Sequence, residues 1–139
     1  MRKYEMVFKA LSDRKRLQVM VLLLREEEQF FVCELADALG ESHYNLSKYL
    51  RELKMAGLVE EERRGRGVLY RVRLAEDGFL ERLYQALRMV EDEELEIFRE
   101  RLRLRKSLRG ENACVVRSDA RWEEMVGALM KSKNSLEKR

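Results

Sequence analysis

The sequence predicts a mostly α-helical protein with a small β wing, a winged helix-turn-helix. Three observations predict it. Two short apolar periodicities of helical spacing meet at a tight turn within residues 32–55. Two strand-like runs, 58–59 and 68–72, then flank a segment with two glycines and three arginines. Positive charge is concentrated in the same stretch. Residues 42–73 hold eight Lys/Arg against four Asp/Glu, a balance of +4 in a chain whose total is +3.

The first helix of the pair covers 32–39, with Leu35, Ala36 and Leu39 at helical spacing. Gly40 ends it, because glycine accepts the left-handed conformation common past a helix C-terminus. Glu41 carries the turn, and Ser42 is a good N-cap for the second helix. Leu46, Leu50 and Leu53 mark the buried stripe of that helix. The opposite face carries Tyr44, Ser47, Lys48 and Arg51, with His43 on its flank. A polar face on the second helix of such a pair is the one that enters a DNA major groove, N-terminal residues towards the bases. Gly57 ends this helix. Residues 60–67 then form a glycine-containing reversal whose Arg63, Arg64 and Arg66 suit phosphate or a narrow minor groove.

These residues carry a family resemblance. The first helix reads Phe31-Val32-Cys33-Glu34-Leu35-Ala36. The second begins Ser42-His43-Tyr44-Asn45-Leu46-Ser47-Lys48-Tyr49-Leu50 and runs on through Leu53, Ala56, Gly57, Leu58 and Val59. The wing reads from Arg63 through Gly65, Gly67 and Tyr70 to Val72, with one extra residue in or near its turn. Upstream stand Ala10-Leu11, Asp13, Arg16 and Leu17. Residues 4–105 thus resemble the ArsR/SmtB family of winged helix-turn-helix repressors. Each piece is weak alone and specific in combination.

The resemblance implies a homodimeric repressor bound to double-stranded DNA. It assigns DNA contacts to Ser42, His43, Tyr44, Asn45, Ser47, Lys48 and Arg51, and to Arg63, Arg64 and Arg66 of the wing. The family more often has Gln at position 43 and a small residue at 44, so Tyr44 shifts the expected sequence preference. The family pairs through its first and last helices. That implies Val7, Phe8, Leu80, Leu83, Tyr84 and Leu87 at the dimer interface. A two-fold dimer sets its recognition helices ~34 Å apart and predicts an inverted-repeat operator.

The 139 residues suit one ordinary domain, with 45% hydrophobic residues to form a core. The expected division is a winged helix-turn-helix with dimerisation helices at 1–110 and a tail with a short amphipathic helix at 111–139. No apolar run approaches the ~20 residues of a membrane span, and the N-terminus lacks the pattern of a signal peptide. A cytoplasmic protein is expected. Two cysteines 81 positions apart then point to thiols rather than a structural disulfide.

In chain order, residues 4–11 form a short helix with Val7, Phe8 and Leu11 inward. Ser12-Asp13 caps a helix over 14–25 with Leu17, Met20, Val21 and Leu24 as its stripe. Residues 26–29 are polar, and 30–32 suit a third strand beside the wing. After a connector at 75–78, Phe79, Leu80, Leu83, Leu87 and Val90 begin a long stripe that Leu95, Phe98 and Leu102 continue. The acidic run 91–94 interrupts it, leaving one helix or two. So large a stripe calls for a partner copy. The run 101–109 has five basic residues and no acid. It reads as a solvated helix C-terminus, where cations suit the dipole, rather than as a second DNA-backbone contact. Gly110 breaks the pattern. Ser118-Asp119 offers a cap, Trp122, Met125, Val126, Leu129 and Met130 are spaced as an amphipathic helix, and 131–139 reads as disordered.

Chemistry, if present, lies with Cys33 and Cys114. Cys33 falls at a helix N-terminus, which favours thiolate. In arsenic-sensing members of the resembled family this place carries a C-x-C chelate, and here Phe31 stands in for the first cysteine. The resemblance leaves several readings open. Cys33 and Cys114 bind arsenic(III) or antimony(III) as inducer, the leading expectation, or they bridge in response to persulfide. In the third, Cys33 is a buried small hydrophobe. No cofactor is obligatory. Zinc sensing is excluded, because the only histidine is His43 on the DNA face and the family's histidine pattern on the last helix is absent. No paired carboxylates, nucleophile–histidine pair or phosphate loop suggests an enzyme. The competing class is a winged helix that binds protein instead of DNA.

Overall fold

The computed structural model describes residues 1–109 and 120–137. The elements run α1 (Arg2–Leu11), α2 (Arg14–Glu26), β1 (Phe30–Phe31), α3 (Val32–Leu39), α4 (His43–Met55), β2 (Val59–Arg64), β3 (Gly67–Val72), α5 (Gly78–Arg88), α6 (Glu93–Ser107) and α7 (Ala120–Glu137).

Helix α2 is the axle. Every residue from Gln18 to Leu24 is buried. The run Val19-Met20-Val21-Leu22-Leu23-Leu24 is apolar all round, so the helix must be covered on every side. Helices α1, α4, α5 and α6 provide that cover. Asp13 starts α2 by accepting the Arg16 backbone N–H at 3.0 Å. Glu27 ends it in a left-handed conformation, φ 54°. In α1, Val7 and Ala10 face the core, whereas Phe8 is 57% exposed. The expectation that Phe8 points inward is corrected: the buried pair lies three residues apart at 7 and 10, leaving position 8 on the outer flank.

The sheet has the order β1-β3-β2, antiparallel throughout. Phe30 stands opposite Tyr70, and Phe31 opposite Leu69. The hairpin of β2 and β3 is longer than expected. Its register runs from Val59 opposite Val72 to Arg64 opposite Gly67, so the reversal is only Gly65-Arg66. The acidic and basic residues that read as loop are cross-strand partners. Arg71 donates Nε–H to Glu60 Oε1 at 2.8 Å and lies 3.6 Å from Glu62. Opposite charges facing across a ladder stabilise it modestly.

Helices α5 and α6 are separate, and the acidic run makes the break. Asp92 caps α6 by accepting the Glu94 N–H at 3.0 Å, and it also accepts Gln18 Nε2–H at 2.9 Å. The Gln18 bond, first, and then the Glu94 amide hold its carboxyl below the usual range. Arg25 locks the turn by donating to the carbonyls of Arg88 and Val90.

Helix α6 then folds back against α3, burying Leu95, Phe98 and Leu102 in its own protomer. The stripe therefore does not require a second copy. The basic run at its end is not a solvated terminus either. Arg99 and Arg103 donate to Glu26 at 2.6 and 3.3 Å. Arg105 donates to Asp37 at 2.7 Å, and Lys106 pairs with Glu28. Arg109 donates to both oxygens of Glu34, at 2.6 and 2.8 Å. Carboxylates on and beside α2 and α3 match these cations, and Glu34 and Arg105 are almost wholly buried.

Helix α7 continues through residue 137, so the expectation of disorder from 131 is corrected for 131–137. The sequence there lacks the proline or glycine that would stop a helix. Trp122, Met125, Val126, Leu129 and Met130 are half-buried, and Arg101 Nη2 lies 3.9 Å from Met130 Sδ. Gly110, Cys114, Ser118, Asp119 and the domain boundary at 110–111 lie outside the described residues. No helix among the described residues is long and apolar enough to cross a membrane.

Candidate nucleic-acid interface

The α3–α4 unit forms as its sequence dictates. Gly40 takes the left-handed conformation, φ 67°, which a Cβ would strain. Ser42 Oγ accepts the Asn45 N–H at 3.1 Å and starts α4. Leu46, Leu50 and Leu53 are fully buried. The opposite face is therefore presented outward. Tyr44 is 76% exposed, Lys48 and Arg51 are exposed, and His43 and Ser47 are half-buried on its edges. Asn45 differs from the rest of the expected contact set. Its side chain turns back to donate to Glu41 at 3.3 Å. Glu41 also meets Lys15 of α2 at 3.4 Å, so the turn is tied to the core helix.

On the wing, Arg63, Arg64 and Arg66 are all exposed. The concentrated charge is only partly available, because Lys54, Arg64, Arg71 and Arg73 pair with Glu61, Glu62, Glu60 and Glu76. Lys48, Arg51, Arg63 and Arg66 form no ion pair among the described residues. Two are on the recognition helix and two on the wing.

Between helix and wing sits a carboxylate that sequence reasoning passed over. Glu61 of β2 accepts Lys54 Nζ–H on one oxygen and Tyr70 Oη–H on the other, both at 2.7 Å. The Lys54 bond, first, and the Tyr70 bond hold its carboxyl below the usual range. Burial, first, and the same carboxylate push the Tyr70 phenol up.

Cys33 is the second residue of α3, 3% exposed and packed with Phe31 and Leu69. It is disulfide-bonded in the structure, where the cysteine count predicts thiols. The chain's other cysteine, Cys114, lies outside the described residues. Phe31, at the place of the missing chelating cysteine, is buried with its ring beneath the Arg109 guanidinium at 5.2 Å. The described residues hold no cluster of three His, Cys, Asp or Glu side chains placed to bind a metal.

The expected dimer residues divide. Val7, Leu80, Tyr84 and Leu87 are at most 7% exposed within the single protomer, so they have almost no surface left to give a partner. Tyr84 donates its hydroxyl to the Arg73 carbonyl at 2.8 Å. Leu83 is half-exposed, and Phe8 packs edge-on against Phe79 together with Tyr4.

The family model described as "Bacterial regulatory protein, arsR family" matches residues 13–61, which are α2, β1, α3, α4 and the start of β2. This part of the chain is similar to the ArsR family. It is a family of regulatory proteins, not of enzymes. Similar proteins include the arsenic resistance transcriptional regulator ArsR1 of Pseudomonas putida, 41% identical over 66 residues, 48% of this chain and 51% of that protein. The arsenical resistance operon repressor of Escherichia coli is 39% identical over 66 residues, 48% of this chain and 56% of that protein. The cadmium resistance regulatory protein CadC of Listeria innocua is 36% identical over 63 residues, 45% of this chain and 52% of that protein. The chain spans about half the length of these three relatives. Among solved structures, reduced HlyU from Vibrio cholerae superposes with a TM-score of 0.52 at 28% identity, covering 64% of this chain and 92% of that one.

Proposed function

We propose that the chain is a homodimeric, DNA-binding transcriptional repressor whose hold on an inverted-repeat operator is set by the chemistry of Cys33. The observation that supports DNA binding is the outward face of α4. Tyr44, Lys48 and Arg51 stand exposed on one side of the helix that the wing's Arg63 and Arg66 flank. Tyr44 and its neighbours reach base edges, and the arginines neutralise phosphates. Phe8 and Leu83, joined by Tyr4 and Phe79, are the apolar surface offered to the second copy.

The disulfide at Cys33 favours a bridging switch over the arsenic(III) site. In this reading Cys33 and Cys114 are thiols when the repressor holds DNA. One thiolate takes the outer sulfur of a persulfide or polysulfide, whose sulfur–sulfur bond breaks and whose remainder leaves as a thiol; the second thiolate then displaces that sulfur as hydrogen sulfide, and the bond between the two cysteines forms. Cys33 sits in the first helix of the helix-turn-helix, so the bond acts directly on the unit that meets DNA. The names of the P. putida and E. coli relatives favour a second reading, in which arsenic(III) is the inducer held by both thiolates.

The test titrates a complex of the reduced protein and DNA with arsenite and, separately, with polysulfide, following fluorescence anisotropy. The duplex is one selected by the protein from a randomised pool. Release by polysulfide that Cys33→Ser or Cys114→Ser abolishes supports the bridging switch. Release by arsenite alone moves the assignment to the metalloid. A cysteine variant that still responds overturns the two-thiol reading, and failure to select any sequence overturns DNA recognition.

A further inference from the structure

We propose that Glu61 is a specificity-determining positioning residue: it fixes the angle between the recognition helix and the wing, so that both engage one duplex in register. The inference rests on the DNA-binding reading above.

The geometry carries it. The two oxygens of Glu61 each take one donor, from different elements. Lys54 stands in the last turn of α4, and Tyr70 stands in β3. Tyr70 is itself opposite Phe30 of β1 and 7% exposed, so its hydroxyl is a fixed point of the sheet. One carboxylate therefore spans from the end of the helix to the root of the wing.

Charge sharpens the argument. Arg63 acts on Glu61, and Arg51 on its partner Tyr70, so cations of both wing and helix stand near this carboxylate. A carboxylate there opposes phosphate and weakens non-specific attraction. The Lys54–Glu61 pair is exposed, 47% and 38%, and such pairs add little stability. General affinity does not account for an acid at this place, and folding does so only through the acceptor it gives the buried Tyr70 hydroxyl. Relative orientation does, because a wing rotated about its root moves Arg63 and Arg66 away from the backbone that the helix has registered.

The two explanations give opposite signs when the charge is removed. Affinity is measured for the selected duplex and for a random duplex of equal length, over a series of salt concentrations. If Glu61 acts only through its charge, Glu61→Gln binds both duplexes tighter. If it positions, Glu61→Gln and Tyr70→Phe lose about tenfold on the selected duplex, the scale of one lost base contact. Random-duplex binding is then unchanged or tighter. Lys54→Met leaves both wing strands intact and tests the helix side. It is expected to lower the ratio of selected to random affinity, whereas loss of a mere cation lowers both together. Parallel changes in the two affinities, in variants with wild-type circular dichroism, overturn the proposal. If the wild type selects no sequence, the DNA-binding reading fails instead, and this inference falls with it.

Discussion

Arg105 Nε lies 2.7 Å from Asp37 Oδ2, with the arginine side chain 1% exposed and the aspartate 13%. The pair joins α6 to the first helix of the helix-turn-helix across 68 residues of sequence. Removing one partner of such a pair leaves a charge in a place where water barely reaches. Arg105→Ala is expected to lower the free energy of unfolding by about 3 kcal/mol. Replacing both residues with leucine is expected to cost much less, because no charge is then stranded. Urea unfolding of the two variants checks this. Equal losses in both would mean that the ion pair itself, and not the stranded charge, dominates.

Gly67 opens β3 beneath the ring of Phe31. A Cβ built on Gly67 would sit 2.7 Å from Phe31 Cδ1 and Cε1. The ring cannot withdraw freely, since Leu69 and Cys33 pack with it. Gly67→Ala is expected to destabilise by about 1–3 kcal/mol, the usual cost of overpacking. Gly67→Ala combined with Phe31→Leu is expected to recover part of that loss. Thermal melts of the single and double variants are the measurement. A single variant that melts with the wild type would show that the ring has room to move.

Tyr84 gives a pH dependence with a definite sign. Burial, first, pushes its phenol up to about 12 from its ordinary 10.0. The folded state holds the proton more tightly than the unfolded state. The contribution to stability is therefore complete below pH 10 and falls as pH rises from 10 towards 12. Tyr84→Phe is expected to lose about 1 kcal/mol at neutral pH, the bond to the Arg73 carbonyl. Its stability is expected to fall less steeply between pH 10 and 12. Urea midpoints across that range decide it, and matching slopes would remove Tyr84 from the account.

Local grammar made the central unit readable. Gly40, Ser42 and the Leu46, Leu50, Leu53 stripe each act within a few residues, so their spacing already dictates a turn, a cap and a buried face. The wing was readable in kind but not in extent. Glu60 and Glu62 look like loop residues until Arg71, on the facing strand, becomes their partner. Long-range pairing hid the rest. The cations of 101–109 carry no mark of burial in sequence, because their carboxylates lie about 70 to 80 positions earlier. One signal was available: Glu34 and Asp37 are three apart on one helix, a spacing that puts both carboxylates on a single face. Glu61 was hidden for the same reason, since its meaning depends on a tyrosine across the ladder.

Glu34 serves two masters. It accepts the Phe31 backbone N–H at 2.8 Å, which starts α3, and it receives both donors of Arg109. The first helix of the helix-turn-helix is thus finished by a residue 75 positions downstream. A shortened version that stopped at residue 108 would keep every helix-turn-helix residue and still leave a sealed anion at the mouth of α3. Anyone trimming this protein to a minimal helix-turn-helix fragment must cut after residue 109, not at the end of the wing.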